Sequence, residues 1–97
     1  MQVPTTGDPN ADKLLQFFVA KAGGMPEPHR QFYLAGHQFH YFTIAALKHF
    51  TGLDSEDIDD SLALLAADKW IRVHRYGYGY RLDVALNVRF DEGPKYP

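Results

Sequence analysis

The chain predicts an α+β domain with its helices first and a β-hairpin last. Three observations carry this. Apolar residues recur at spacings of three and four from Leu14 to Ala22 and again from Ile58 to Ala66, the period of one helical face. From Ile71 onward apolar and polar residues alternate instead, as in a strand with one covered face. Gly and Pro clusters punctuate the segments between. The 97 residues suit one small domain, expected over residues 8–90, with loose tails at 1–7 and 91–97.

The first helix is expected within "GDPNADKLLQFFVAKAGG". Asp8 is a capping residue and Pro9 suits the first helical position, where its missing N–H is harmless; Asn10 is a rival cap. Gly23 and Gly24 stop the helix. After the Pro-rich "MPEPHRQ", the aromatic run "QFYLAG" predicts a short strand. "HQFHYFTIAALKHFTG" predicts a second helix whose buried face is drawn from Phe39, Phe42, Ile44, Ala46, Leu47 and Phe50. Its start is ambiguous, because "HYFTI" also has strand propensity.

The third helix is the clearest. Asp54 or Ser55 caps it, and acids in its first turn suit the positive helix end. Ile58, Leu62, Leu65 and Ala66 share one face, and Asp68-Lys69 closes the helix without a glycine. In "WIRVHRYGYGYRLDVALNVRF" a turn around "YGYG" divides two strands. The second alternation, Tyr80 to Phe90, is long enough that the strand bends or its later part pairs elsewhere.

The net charge of −2 favours neither nucleic acid nor an anionic membrane. Its distribution says more: six of the twelve acids lie from Asp54 to Asp68, and Lys69, Arg72, Arg75 and Arg81 follow, so an acidic element adjoins a basic one. Hydrophobic residues make up 45% of the chain, enough for a core and too many for disorder. The absence of cysteine excludes disulfides and thiolate chemistry and fits a cytoplasmic protein. No signal peptide is expected at "MQVPTTGDPN", and no apolar run reaches the ~20 residues that span a bilayer.

The stretch "TGLDSEDIDDSLALLAADKWI" (residues 51–71), with "HRYGYGYRL" after it, resembles the winged helix-turn-helix superfamily over roughly residues 9–84. Thr51-Gly52-Leu53 looks like that family's turn between helices. Ile58 stands where the family has a branched apolar residue, and "LAADKWI" looks like the entry into the first wing strand. The resemblance implies a winged helix, three helices followed by a hairpin wing, whose third helix enters a DNA groove. Two positions depart from the pattern: Lys48, where many members have a small residue, and the third helix, which is acidic where DNA-reading members place Arg, Lys, Asn, Gln, Ser or Thr.

That inversion divides the candidate sites. Glu56, Asp57, Asp59, Asp60 and Ala63 form a candidate docking face for a protein with a basic surface, a class that includes nucleic-acid-binding proteins. The bland reading, a solvated face, carries about equal weight. Carboxylates facing phosphates oppose duplex binding, since DNA affinity rests on neutralising phosphate charge. The alternative is a DNA-binding regulator that contacts DNA through Lys48, Arg72, His74, Arg75, Tyr78 and Arg81, where arginines and tyrosines interleave as phosphate and base contacts require. Against it stands an ordinary hairpin, with Arg72 and Arg75 paired to Asp68 or Asp83.

His37 and His40 are three apart and share a helical face if that segment is helical, but a metal needs a third or fourth ligand. No metal or cofactor is expected. The aromatics Phe17, Phe18, Phe32, Tyr33, Phe39, Tyr41, Phe42 and Phe50 are many for so small a core, and a surplus would leave an exposed patch suited to a partner or to a homodimer. No nucleophile elbow, phosphate loop or zinc signature is present, and Ser61 with His74 has no supporting signature as a triad. The expectation is a non-enzymatic interaction module, an adaptor or inhibitor, with no membrane association.

Overall fold

The computed structural model describes residues 3, 5–76, 81–89 and 93–94. Helix α1 spans Pro9–Lys21 and continues into a 3-10 turn at Ala22–Gly24. Asp8 caps it, accepting a 2.9 Å hydrogen bond from the Ala11 N–H. Leu14, Leu15 and Phe18 are fully buried on its inner face. Thr6, within the segment read as a tail, donates from its hydroxyl to Asp12 Oδ1 at 2.8 Å.

Residues 29–43 correct two expectations. The run read as a strand is helix α2, His29–Leu34, and the strand, β1, falls at His40–Thr43 inside the segment read as helix. Gly36 explains the first change. It sits at φ 85°, and the His37 N–H bonds the Phe32 carbonyl at 2.8 Å while the Gly36 N–H bonds that of Tyr33 at 3.3 Å. This paired closure is a left-handed helix stop that glycine tolerates. Thr43 explains the second: its hydroxyl accepts from the Ala46 N–H at 3.1 Å, which starts helix α3 at Ile44 rather than earlier, and α3 runs to Thr51. The aromatic and β-branched residues before it are left to the strand. His37 and His40 therefore share no helix.

Helix α4, Ser55–Ala67, begins at an Asp54 cap. It ends on Lys69 at φ 65°, with the Trp70 N–H bonding the Leu65 carbonyl at 2.9 Å; a lysine occupies the left-handed position that usually takes glycine. Strands β2 (Ile71–Tyr76) and β3 (Arg81–Leu86) follow. The antiparallel order is β1-β3-β2, aligning Tyr41, Asp83 and His74 in one row and Phe42, Leu82 and Arg75 in the next. Successive rows face opposite sides. Leu82, Val84, Leu86, Ile71 and Phe42 join α1, α3 and α4 in one core.

The long alternation beyond Tyr80 is not one strand. Asn87 leaves the ladder, donating from its backbone to the Trp70 carbonyl and from Nδ2 to the Lys69 carbonyl, both at 2.9 Å. Beyond it β4, Val88–Arg89, pairs with β5, Gly93–Pro94. No helix among the described residues is long and apolar enough to cross a membrane.

Candidate interaction site

The carboxylates of α4 are arrayed by its buried stripe. Ile58, Ser61, Leu62 and Leu65 point inward, and α1 is the helix that packs most closely on α4. At 3.6 residues per turn the opposite side carries Glu56, Asp60, Ala63 and Ala67, all exposed. Two alanines between acids leave that face shallow. Asp57 is half-buried. Its amide donates to Asp54 Oδ1 at 2.8 Å, and its own carboxyl is pushed above the ordinary value by partial desolvation, then by the nearby Asp54 and Asp60.

Asp59 points sideways, toward β2, and forms an ion pair with Arg75. This pair closes one side of a groove between α4 and β2, about 200 Å³ in volume, with Leu62, Ala63, Ala66 and Val73 along it. The groove is smaller than the ~300 Å³ of an ordinary small-molecule site. An apolar floor with carboxylates on its rim suits a side chain or helix ridge that carries positive charge alongside.

The two candidate sets thus meet at Asp59 and Arg75, and the arginine pairs with neither Asp68 nor Asp83. The other residues of the basic set are dispersed. Arg81 stacks between two rings, its guanidinium carbon 4.6 Å from the Tyr41 centroid and 5.3 Å from that of Tyr76. The His74 ring lies 5.2 Å from Phe39 in an edge contact. Arg72 is exposed on β2 and Lys48 on α3. Tyr78 lies outside the described residues. Ser61 is buried while His74 is exposed, so nothing unites them as a triad.

The histidines group differently from the expectation. His40 meets His29, with ring centroids 5.5 Å apart, and Gln38 Nε2 lies 3.0 Å from His29 Nδ1. Burial lowers the His40 pKa, and His29 and Lys21 add to that. No cluster of three or more ligating side chains that would hold a metal occurs among the described residues.

Sequence reasoning missed one group. Phe50, expected inside, is 62% exposed, beside Tyr41 at 52% and Tyr76 at 47%. The excess of aromatics signalled a patch, but not its members, because the stacking of Phe50 on Phe17 depends on how α3 crosses α1. Compared with protein-family models, with curated proteins and with solved structures, the chain finds no match in any of the three.

Proposed function

We propose that the chain is a winged-helix interaction module, without catalytic activity, that docks a basic protein surface through α4. The winged-helix reading is supported by the run β1, α3, α4 and hairpin, by the β1-β3-β2 sheet and by the tight turn at Gly52, φ 75°, between α3 and α4; the fold departs from the three helices expected in having α2 as a fourth. The docking reading rests on one observation. The exposed side of α4 carries Glu56 and Asp60 around Ala63, next to an apolar groove, and Arg75 is the cation shown to neutralise one of the helix's acids. Exposed carboxylates flanking an apolar strip are complementary to a Lys- or Arg-bearing amphipathic segment.

The same pair weighs against docking of duplex DNA by the hairpin. Arg75 is already engaged by a carboxylate, and the acids of α4 stand beside the groove that a phosphate backbone would approach. The experiment is a charge reversal, Asp60→Lys with Ala63→Lys. Both positions are exposed and clear of the cap, so the helix is preserved. Capture of a basic partner protein should be lost in the variant and retained in Lys48→Ala. A partner that binds wild type and variant equally overturns the proposal.

A further inference from the structure

A second surface, made of other residues, joins α1, α3 and all three strands of the sheet. Phe17 and Lys21 lie one turn apart on α1, and Phe50 stands near the end of α3. The Phe17 and Phe50 rings stack at 5.7 Å and 18°, with Lys21 Nζ 5.4 Å and 5.3 Å from their centroids. Together with Tyr41, Thr43 and Ala46 they line a hollow of about 140 Å³. Beyond Tyr41 the row continues through Arg81 to Tyr76. Aromatic rings and cations therefore succeed one another around the β1 edge: Phe50, Lys21 and Phe17 on the side of the sheet that carries the helices, then Tyr41, Arg81 and Tyr76 on its other face.

Neither Lys21 nor Arg81 has an ion-pair partner among the described residues. Asp83, the acid beside this row, accepts a hydrogen bond from Tyr76 Oη at 3.1 Å. Three rings about half exposed or more form an apolar patch that water does not favour. An apolar protein partner would cover the rings but bury the cations unpaired. A duplex offers phosphates but keeps its bases stacked on one another. A single strand offers an anionic backbone together with free ring faces, and stacking platforms set among cations are how such strands are held.

We propose that this row binds single-stranded nucleic acid, with bases stacked on Tyr41 and Phe50 and phosphates on Lys21 and Arg81. The proposal is independent of the docking role of α4. The test is a fluorescence-anisotropy titration of the full chain with labelled oligothymidylate of about 12 nucleotides, within the range of known single-strand sites. The comparison probes are a duplex and a polyglutamate peptide of similar length.

Binding to the single strand should exceed binding to the duplex and weaken as salt rises. Tyr41→Ala and Phe50→Ala should each cost about tenfold in affinity, as expected for loss of one stacked base, and Tyr41→Phe should restore most of it. Arg81→Gln should lower the salt slope by about 0.7, the value for one single-strand phosphate contact. Tyr41, Phe50 and Arg81 are exposed, and a thermal melt of each variant separates such losses from unfolding. The proposal is overturned by absence of binding at low salt, by binding indifferent to Tyr41→Ala and Phe50→Ala, or by polyglutamate binding as tightly with the same losses. The last result would make the row a site for an acidic protein segment.

Discussion

Arg75 on β2 forms an ion pair with Asp59 on α4, sixteen residues earlier in the chain. The pair ties the acidic helix to the hairpin and fixes one wall of the groove between them. Its side chains are 40% and 54% exposed, so water screens much of the attraction. A double-mutant cycle of Asp59→Asn and Arg75→Gln should give a coupling of about 0.2–1 kcal/mol. In about 1 M salt the coupling should fall toward zero. A coupling of several kcal/mol would mean a far drier groove than the structure shows.

Tyr33 is fully buried, and its hydroxyl donates to the Phe18 carbonyl at 2.7 Å. That carbonyl lies in the last turn of α1, where the Ala22 N–H goes to Val19 and Ala20 instead, so the tyrosine satisfies a group the helix leaves open. Burial also raises the Tyr33 pKa strongly, keeping it a donor. Tyr33→Phe should cost about 1–3 kcal/mol, the penalty for leaving a buried carbonyl unpaired. Urea denaturation measures it.

Lys69 holds a left-handed backbone, φ 65°. That conformation costs an L-residue about 1–2 kcal/mol. Glycine avoids this but gives up about 0.5–1 kcal/mol in unfolded-state entropy. Lys69→Gly should therefore stabilise the fold by up to about 1 kcal/mol, seen as a higher denaturation midpoint with an unchanged slope. A loss of stability would show that the lysine side chain outweighs the strain.

His40 contributes an acid-sensitive interaction to the fold. Its pKa lies below the ordinary 6.5 because it is partly buried beside His29 and Lys21, with Asp83 opposing more weakly. The unfolded chain takes up this proton at higher pH than the folded one. Its contribution is therefore complete above the ordinary value and declines as pH falls through it toward the folded pKa. Melting temperatures between about pH 8 and about pH 5 should fall on the acid side, and His40→Gln should flatten that fall. Equal slopes in both proteins would contradict the assignment.

Helices α1 and α4 were legible in the sequence because their signals are local. Asp8 and Asp54 cap them and an apolar stripe runs down each. The exchange of helix and strand between residues 29 and 43 was not, because a short aromatic run satisfies both periods. Gly36 was the available clue, as a helix stop placed just after "FYLA". Glu56, Asp60 and Ala63 of the acidic face were legible, since Ile58, Leu62 and Leu65 define what lies opposite, whereas Asp57 is half-buried and Asp59 turns toward β2. The partner of Arg75 was not: Asp59 is close only once the hairpin returns beside α4. The row from Phe50 to Tyr76 was hidden for the same reason, being assembled from five elements.

The central claim, that α4 and its groove dock a basic partner, is tested most directly by nuclear magnetic resonance. The uniformly labelled protein would be titrated with a Lys/Leu amphipathic peptide, and an acidic peptide would serve as control. The account predicts amide shifts concentrated at Glu56, Asp59, Asp60, Ala63, Ala66 and Val73 with the basic peptide alone, abolished by Asp60→Lys with Ala63→Lys. Shifts absent from α4, or unchanged by that double substitution, would contradict it.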